Sequence, residues 1–144
     1  MNIQDCLKFA QENPVCFLAT TQADQPRVRT VLLWFADTTG FYFILLSPKQ
    51  VSAQLKANPK AEICFFNRSQ ELSGTRQLRV TGVMELVHDP ALQARAVKDR
   101  GFLSKVVGRP VESLIEVFRL TSCDAHFWTM ADVLKEPALE HATL

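Results

Sequence analysis

Asp24-Gln25-Pro26-Arg27-Val28-Arg29-Thr30-Val31-Leu32-Leu33-Trp34-Phe35 is the stretch that decides how this 144-residue chain is read. Two arginines stand two residues apart at the head of an apolar run. Residues i and i+2 of a strand share a face, so Arg27 and Arg29 point the same way. Val31 to Phe35 is apolar on both faces, as in a strand covered from both sides. A paired cationic face leading into a buried strand suits an anionic ligand at the rim of a barrel. Charge that protects an exposed strand edge is the other reading of the pair.

Outward from this strand, Gln22-Ala23-Asp24-Gln25 forms a turn behind a strand at Val15 to Thr21. Asp37-Thr38-Thr39-Gly40 turns into another at Phe41 to Leu46. Three strands this tightly linked pair as an antiparallel meander. A helix over 2–12 precedes them, with Ile3, Leu7 and Ala10 on one side, and Asn13-Pro14 ends it. After them, Ser47-Pro48-Lys49-Gln50 reads as a helix start, with Ser47 as N-cap, Pro48 in the first turn and Gln50 completing a capping box. Asn58-Pro59 stops that helix. Strands follow at Ala61 to Phe66 and Arg76 to Val87, where Leu78, Val80, Met84 and Leu86 alternate with polar residues and Gly82 marks a bulge. Asp89-Pro90 opens a helix that ends near Gly101, and Leu103 to Ile115 is a loop with a short helix. Glu116 to Met130 is the last strand, kinked near Ser122-Cys123-Asp124. About six strands with helices in the connections predict one mainly β domain over residues 1–144, a small closed barrel.

Composition narrows the function classes. Hydrophobic residues make up 47% of the chain, which argues against disorder. A formal net charge of +1 excludes a nucleic-acid binder that works chiefly by neutralising phosphates. Phe41 to Leu46 is too short to span a bilayer, and Met1 to Asn13, with Asp5, Lys8 and Glu12, lacks a signal-peptide core. Neither a nucleic-acid nor a membrane partner is expected. Cys6, Cys16, Cys64 and Cys123 are scattered, as free thiols of a reducing cytoplasm are. His88, His126 and His141 form no spacing pattern, and no metal set, nucleophile triad, P-loop or dinucleotide fingerprint is visible.

The candidate chemistry lies at Arg27 and Arg29, as a phosphate clamp, and at the helix start, where Lys49 joins free backbone amides or else projects into solvent. Phe127 and Trp128 either flank a planar ligand or pack at a core or interface; Trp34 reads as core. The apolar surplus on both faces of Val31 to Phe35 and Phe41 to Leu46 predicts a homodimer.

The segments Gln25 to Leu33, Gly40 to Phe43, Gln54 to Pro59 and Arg76 to Gly82, in this order, resemble the pyridoxamine 5′-phosphate oxidase-like flavoproteins, closest to their general-stress and nitroimidazole-resistance-like branch. The resemblance implies a six-stranded antiparallel split β-barrel with connecting helices. It also implies a homodimer with FMN in a groove between subunits. Arg29 matches the family's flavin-binding arginine, with Thr30, Val31 and Leu32 along the flavin, Gln77 reaching the ring and Trp128 covering it. Arg27, Leu45, Ser47, Lys49 and Gln50 fall at the phosphate end. The true oxidases carry a lysine where Trp34 stands, a threonine where Leu45 stands and an arginine–lysine pair where Gln50-Val51 stand. They also close on an arginine-leucine-x-proline signature missing after Trp128. The expectation is a flavin-dependent oxidoreductase of a small molecule other than pyridoxamine phosphate, with its catalytic residues unassigned. The alternative is a non-catalytic flavin- or haem-binding dimer.

Overall fold

The computed structural model describes residues Met1 to Leu144. Helix α1 (Ile3–Glu12) is capped by Asn2, whose side chain accepts from the Asp5 amide while Asp5 accepts from the Asn2 amide. Strands β1 (Val15–Gln22), β2 (Gln25–Asp37) and β3 (Gly40–Leu46) follow as the expected antiparallel meander. Then come α2 (Gln50–Ala57), β4 (Lys60–Phe66), β5 (Arg76–Leu86), α3 (Pro90–Arg100), α4 (Leu103–Val107), β6 (Ile115–Thr129) and β7 (Ala142–Thr143). Asp89 caps α3 through the amides of Ala91 and Leu92, with Pro90 in the first turn, as its sequence requires.

The sheet order is β3-β2-β1-β4-β5-β6-β7, and β3 also pairs with β6, closing six strands into an antiparallel barrel. The closure is uneven. β6 pairs with β5 along nearly its whole length, but only its first half, Ile115 to Leu120, meets β3. Its second half meets β7 at Asp124 and Ala125. The division falls at Ser122, which adopts a left-handed φ of 51°. Opposite this kink the β5 register slips between Thr81 and Val83. A Cβ on Gly82 would lie 2.6 Å from the Thr121 carbonyl oxygen and 2.9 Å from Leu120 Cγ, so the bulge needs a residue without a side chain. The seventh strand lies in the tail, where the sequence carries no strand pattern.

Phe41, Phe43, Phe65 and Phe118, all fully buried, fill the barrel with Leu18, Ile63 and Leu78. A second apolar cluster lies outside it. Tyr42, Ile115 and Val117 pack with Ala96 of α3 and with Val111, and Trp34, Phe35, Ile44 and Leu46 lean against them. The outer face of β3 and the Trp34–Phe35 end of β2 are therefore covered by this chain's own α3 and by the segment leading into β6, while Leu32 further along β2 stays exposed. That covered part of the surface is not left for a partner. Trp34 is half-buried in this cluster, where its Nε1 donates to Asp99 at 2.8 Å and the Arg95 guanidinium lies 4.8 Å over its ring. No helix is long and apolar enough to cross a membrane.

Candidate functional site

Arg29 lies opposite Leu18 and Arg27 opposite Thr20 in the β1–β2 ladder. The half-buried Arg29 guanidinium reaches across β1 to α2. It donates to the Thr20 hydroxyl at 2.7 Å, to the Leu18 carbonyl at 3.3 Å and to Gln54 Oε1. Thr20 in turn donates to Gln54 Oε1 at 2.8 Å, and both Thr20 and Gln54 are buried. Arg27 is exposed and donates to Gln22 Oε1 at 3.2 Å. No carboxylate forms an ion pair with either arginine. Burial first, and the Arg27 charge second, hold the Arg29 guanidinium below its usual pKa. A cation strained in this way is a place where an anion is welcome.

The start of α2 differs from the capping box expected of Ser47 and Gln50. The helix begins at Gln50, the N-cap position belongs to Lys49, and no side chain caps it. Ser47 is half-buried instead, and its backbone amide donates to the Leu114 carbonyl at 2.9 Å. That bond ties the end of β3 to the start of β6 and takes Ser47 out of the helix. The first helical bonds run from Ser52 and Ala53 to the Lys49 carbonyl, which leaves the amides of Gln50 and Val51 without helical acceptors. Lys49 and Gln50 are exposed, and neither side chain is held by an ion pair or a hydrogen bond. The Val51 and Leu45 side chains are buried in the barrel core. A cleft lined by Thr21, Gln22, Gln50, Ala53, Gln54 and Asn58 separates the β1–β2 turn from α2.

The other predicted residues fall elsewhere. Thr30 and Leu32 face outward with Val28, while Val31 packs inward against the core. Gln77 and Trp128 are direct cross-strand partners on the far side of the sheet, and Gln77 accepts a weak bond from the Cys64 thiol at 3.7 Å. Three strand spacings, roughly 14 Å, separate β2 from β5. Arg29 and the Gln77–Trp128 pair therefore lie in two separate places on one chain. Between them the outer face exposes Val15, Phe17, Val28 and Leu32, with Val28 71% accessible.

The fold also brings together a group that the sequence spacing hides. Asp124 and His126 share a face of β6, and β7 carries His141 back beside them, so that ligand atoms of the three lie within 4.8 Å of one another. Burial first, then His141 and Arg79, lower the His126 pKa from its ordinary value.

The family model described as pyridoxamine 5′-phosphate oxidase matches residues 3–128, and the chain belongs to this family. A pyridoxine/pyridoxamine 5′-phosphate oxidase of Maricaulis maris is 32% identical over 126 residues, covering 83% of this chain and 55% of that protein. The chain therefore spans about half the length of that relative. Among solved structures, a NimC/NimA family protein from Clostridium acetobutylicum superposes with a TM-score of 0.73 at 22% identity, covering 98% of this chain and 92% of that one. A FAD-binding protein from Mesorhizobium loti gives 0.66 at 17% identity over 87% and 94%. HutZ, described as the haem storage protein of Vibrio cholerae, gives 0.61 at 18% identity over 81% and 87%. These likenesses establish the shared fold.

Proposed function

We propose that the chain binds FMN as a homodimer and acts as a flavin-dependent oxidoreductase on a small molecule other than pyridoxamine phosphate. The observation that carries this reading is the half-buried Arg29, a cation without a carboxylate and with a second cation, Arg27, nearby. Arg29, Arg27, Lys49 and the free amides of Gln50 and Val51 would hold the phosphate. When bound, the flavin supplies the hydride and electron chemistry; the chain supplies orientation and electrostatics. Gln77 and Trp128 stand three strand spacings, roughly 14 Å, from the strand of Arg29, and the family resemblance has such an aromatic cover the ring from the partner subunit. The reading therefore draws them from a second copy packed on the face of Val15, Phe17, Val28 and Leu32.

Pyridoxamine phosphate would need a grip on its own phosphate. Thr129, Met130 and Ala131 after Trp128 carry no charge to supply it. The test is the absorption spectrum of the purified protein titrated with FMN. Protein-bound flavin bands with saturable binding are expected. Absence of flavin binding overturns the reading, and a Soret band on titration with haem in its place assigns the barrel to haem.

A further inference from the structure

We propose that Asp124, His126 and His141 form a binding site for one divalent transition-metal ion of the zinc class on the outer end of the β6–β7 ladder. The placement follows from the strand geometry. Asp124 and His126 stand two residues apart and face the same way. The β6–β7 register, Asp124↔Thr143 and Ala125↔Ala142, continues to set His141 across from His126. The two imidazole rings lie 4.6 Å apart between centroids, tilted by 31°. The backbone fixes this arrangement. Cys123 and Leu144 exchange both amide bonds, at 2.9 and 3.0 Å, Ala142 is buried, and the Met1 ammonium holds Glu140 at 2.8 Å. His141 is therefore delivered by a strand anchored on both sides of it.

A hydrogen-bonded pair of Asp124 and His141 accounts for two of the three residues. It leaves His126 unexplained, because its Nε2 is buried and has no hydrogen-bond partner. Two imidazoles and one carboxylate are the donor set that zinc and its neighbours Co²⁺ and Ni²⁺ favour, and three protein ligands leave a coordination position open. Metal–ligand bonds of about 2.1 Å require ligand atoms roughly 3.4 Å apart. Modest rotation of the half-exposed Asp124 and His141 side chains closes the gap from 4.8 Å. The charge of the neighbouring Arg79 is largely offset by carboxylates. Arg79, paired with His126 across the ladder, is neutralised by Glu62 at 2.9 Å and Glu136 at 2.5 Å. Bound metal would pin β7, and with it the chain's last residues, to the barrel.

The full chain, free of any affinity tag and of flavin, is stripped with a chelator and titrated with Co²⁺ by its visible absorption and with Zn²⁺ by calorimetry. One ion per chain is expected. His141→Ala and Asp124→Asn should each weaken binding by more than about tenfold, the least that even an outer-shell loss commonly brings. His88→Ala, remote from the cluster, should bind as the parent does. His141 is exposed, so its variant keeps the fold, which circular dichroism verifies. A parent chain that takes up neither Co²⁺ nor Zn²⁺, or a His141→Ala variant that binds either as tightly as the parent, overturns the proposal. Because no flavin is present, the outcome is independent of the FMN reading.

Discussion

At the scale of the residue, Arg29 joins a structural role to the binding role proposed for it. Its charge faces no carboxylate, and its hydrogen bonds join β2 to Leu18, Thr20 and Gln54. Arg29→Ala should therefore weaken FMN about ten- to a hundredfold, the worth of one charge-assisted contact. It should also cost roughly 1–3 kcal/mol of stability by leaving the buried Thr20 and Gln54 short of a donor. A strand-end charge read from sequence alone predicts no cost to folding, so a denaturant melt of the variant separates the two pictures. The thiols make a second test. Burial pushes Cys6 up to about 11 and Cys16 and Cys123 up to about 12, and Cys64 is raised as well. At pH 8 the buried Cys6, Cys16 and Cys123 should carry almost no thiolate, and a disulfide reagent should label these three rapidly only after denaturant is added. The sign for stability follows. Each of these groups is held protonated by the fold, so its contribution is intact below the ordinary value of 9.0 and is lost as pH rises from there through 11 and 12. Fast labelling of Cys6, Cys16 or Cys123 in the native protein at pH 8 would contradict the burial.

At the scale of the element, the kink in β6 and the bulge in β5 are one device. Ser122 turns β6 away from β3 towards β7, and Gly82 lets the two strands approach at that point. Gly82→Ala should destabilise the protein by about 1–3 kcal/mol, because the methyl group meets the backbone oxygen of Thr121 and the Leu120 side chain. Chemical denaturation measures this, and an unchanged midpoint would show that the strands can part without cost. Helix α2 shows the other element-scale effect. Val51 and Leu55 bury against the barrel. Gln54 and Ser52 bond to Thr20 and Glu116, and Lys56 pairs with Glu116 at 2.5 Å. These tertiary contacts, rather than a cap, hold the helix in place.

At the scale of the whole molecule, the outer face of β1 and β2 leaves an apolar surface exposed, at Val15, Phe17, Val28 and Leu32. Light scattering of the parent chain should give a dimer mass, and a Phe17→Glu, Val28→Glu double variant should give a monomer that has lost FMN affinity. A stable monomer for the parent at micromolar concentration would remove the shared site, because no second copy would then be present to complete it.

The sequence by itself determined most elements and their pairing. Alternation in β5, the Asp89-Pro90 cap, the turn residues of the meander and the Ser122 kink are local signals, and local physics is enough to read them. It also picked out Arg29, because two arginines in strand spacing before an apolar run are a local pattern too. Only the tertiary structure decided what covers each face. The outer side of β3 and the Trp34 end of β2 belong to α3, which lies well downstream in the chain and carries few buried residues of its own. The helix start that Ser47 and Gln50 advertise moved because the backbone of Ser47 is bound to Leu114. The Asp124, His126 and His141 cluster stayed hidden for the same reason. A two-residue strand in a polar tail has no periodicity to read, and its place is set by pairing with β6 across a separation that sequence spacing does not encode.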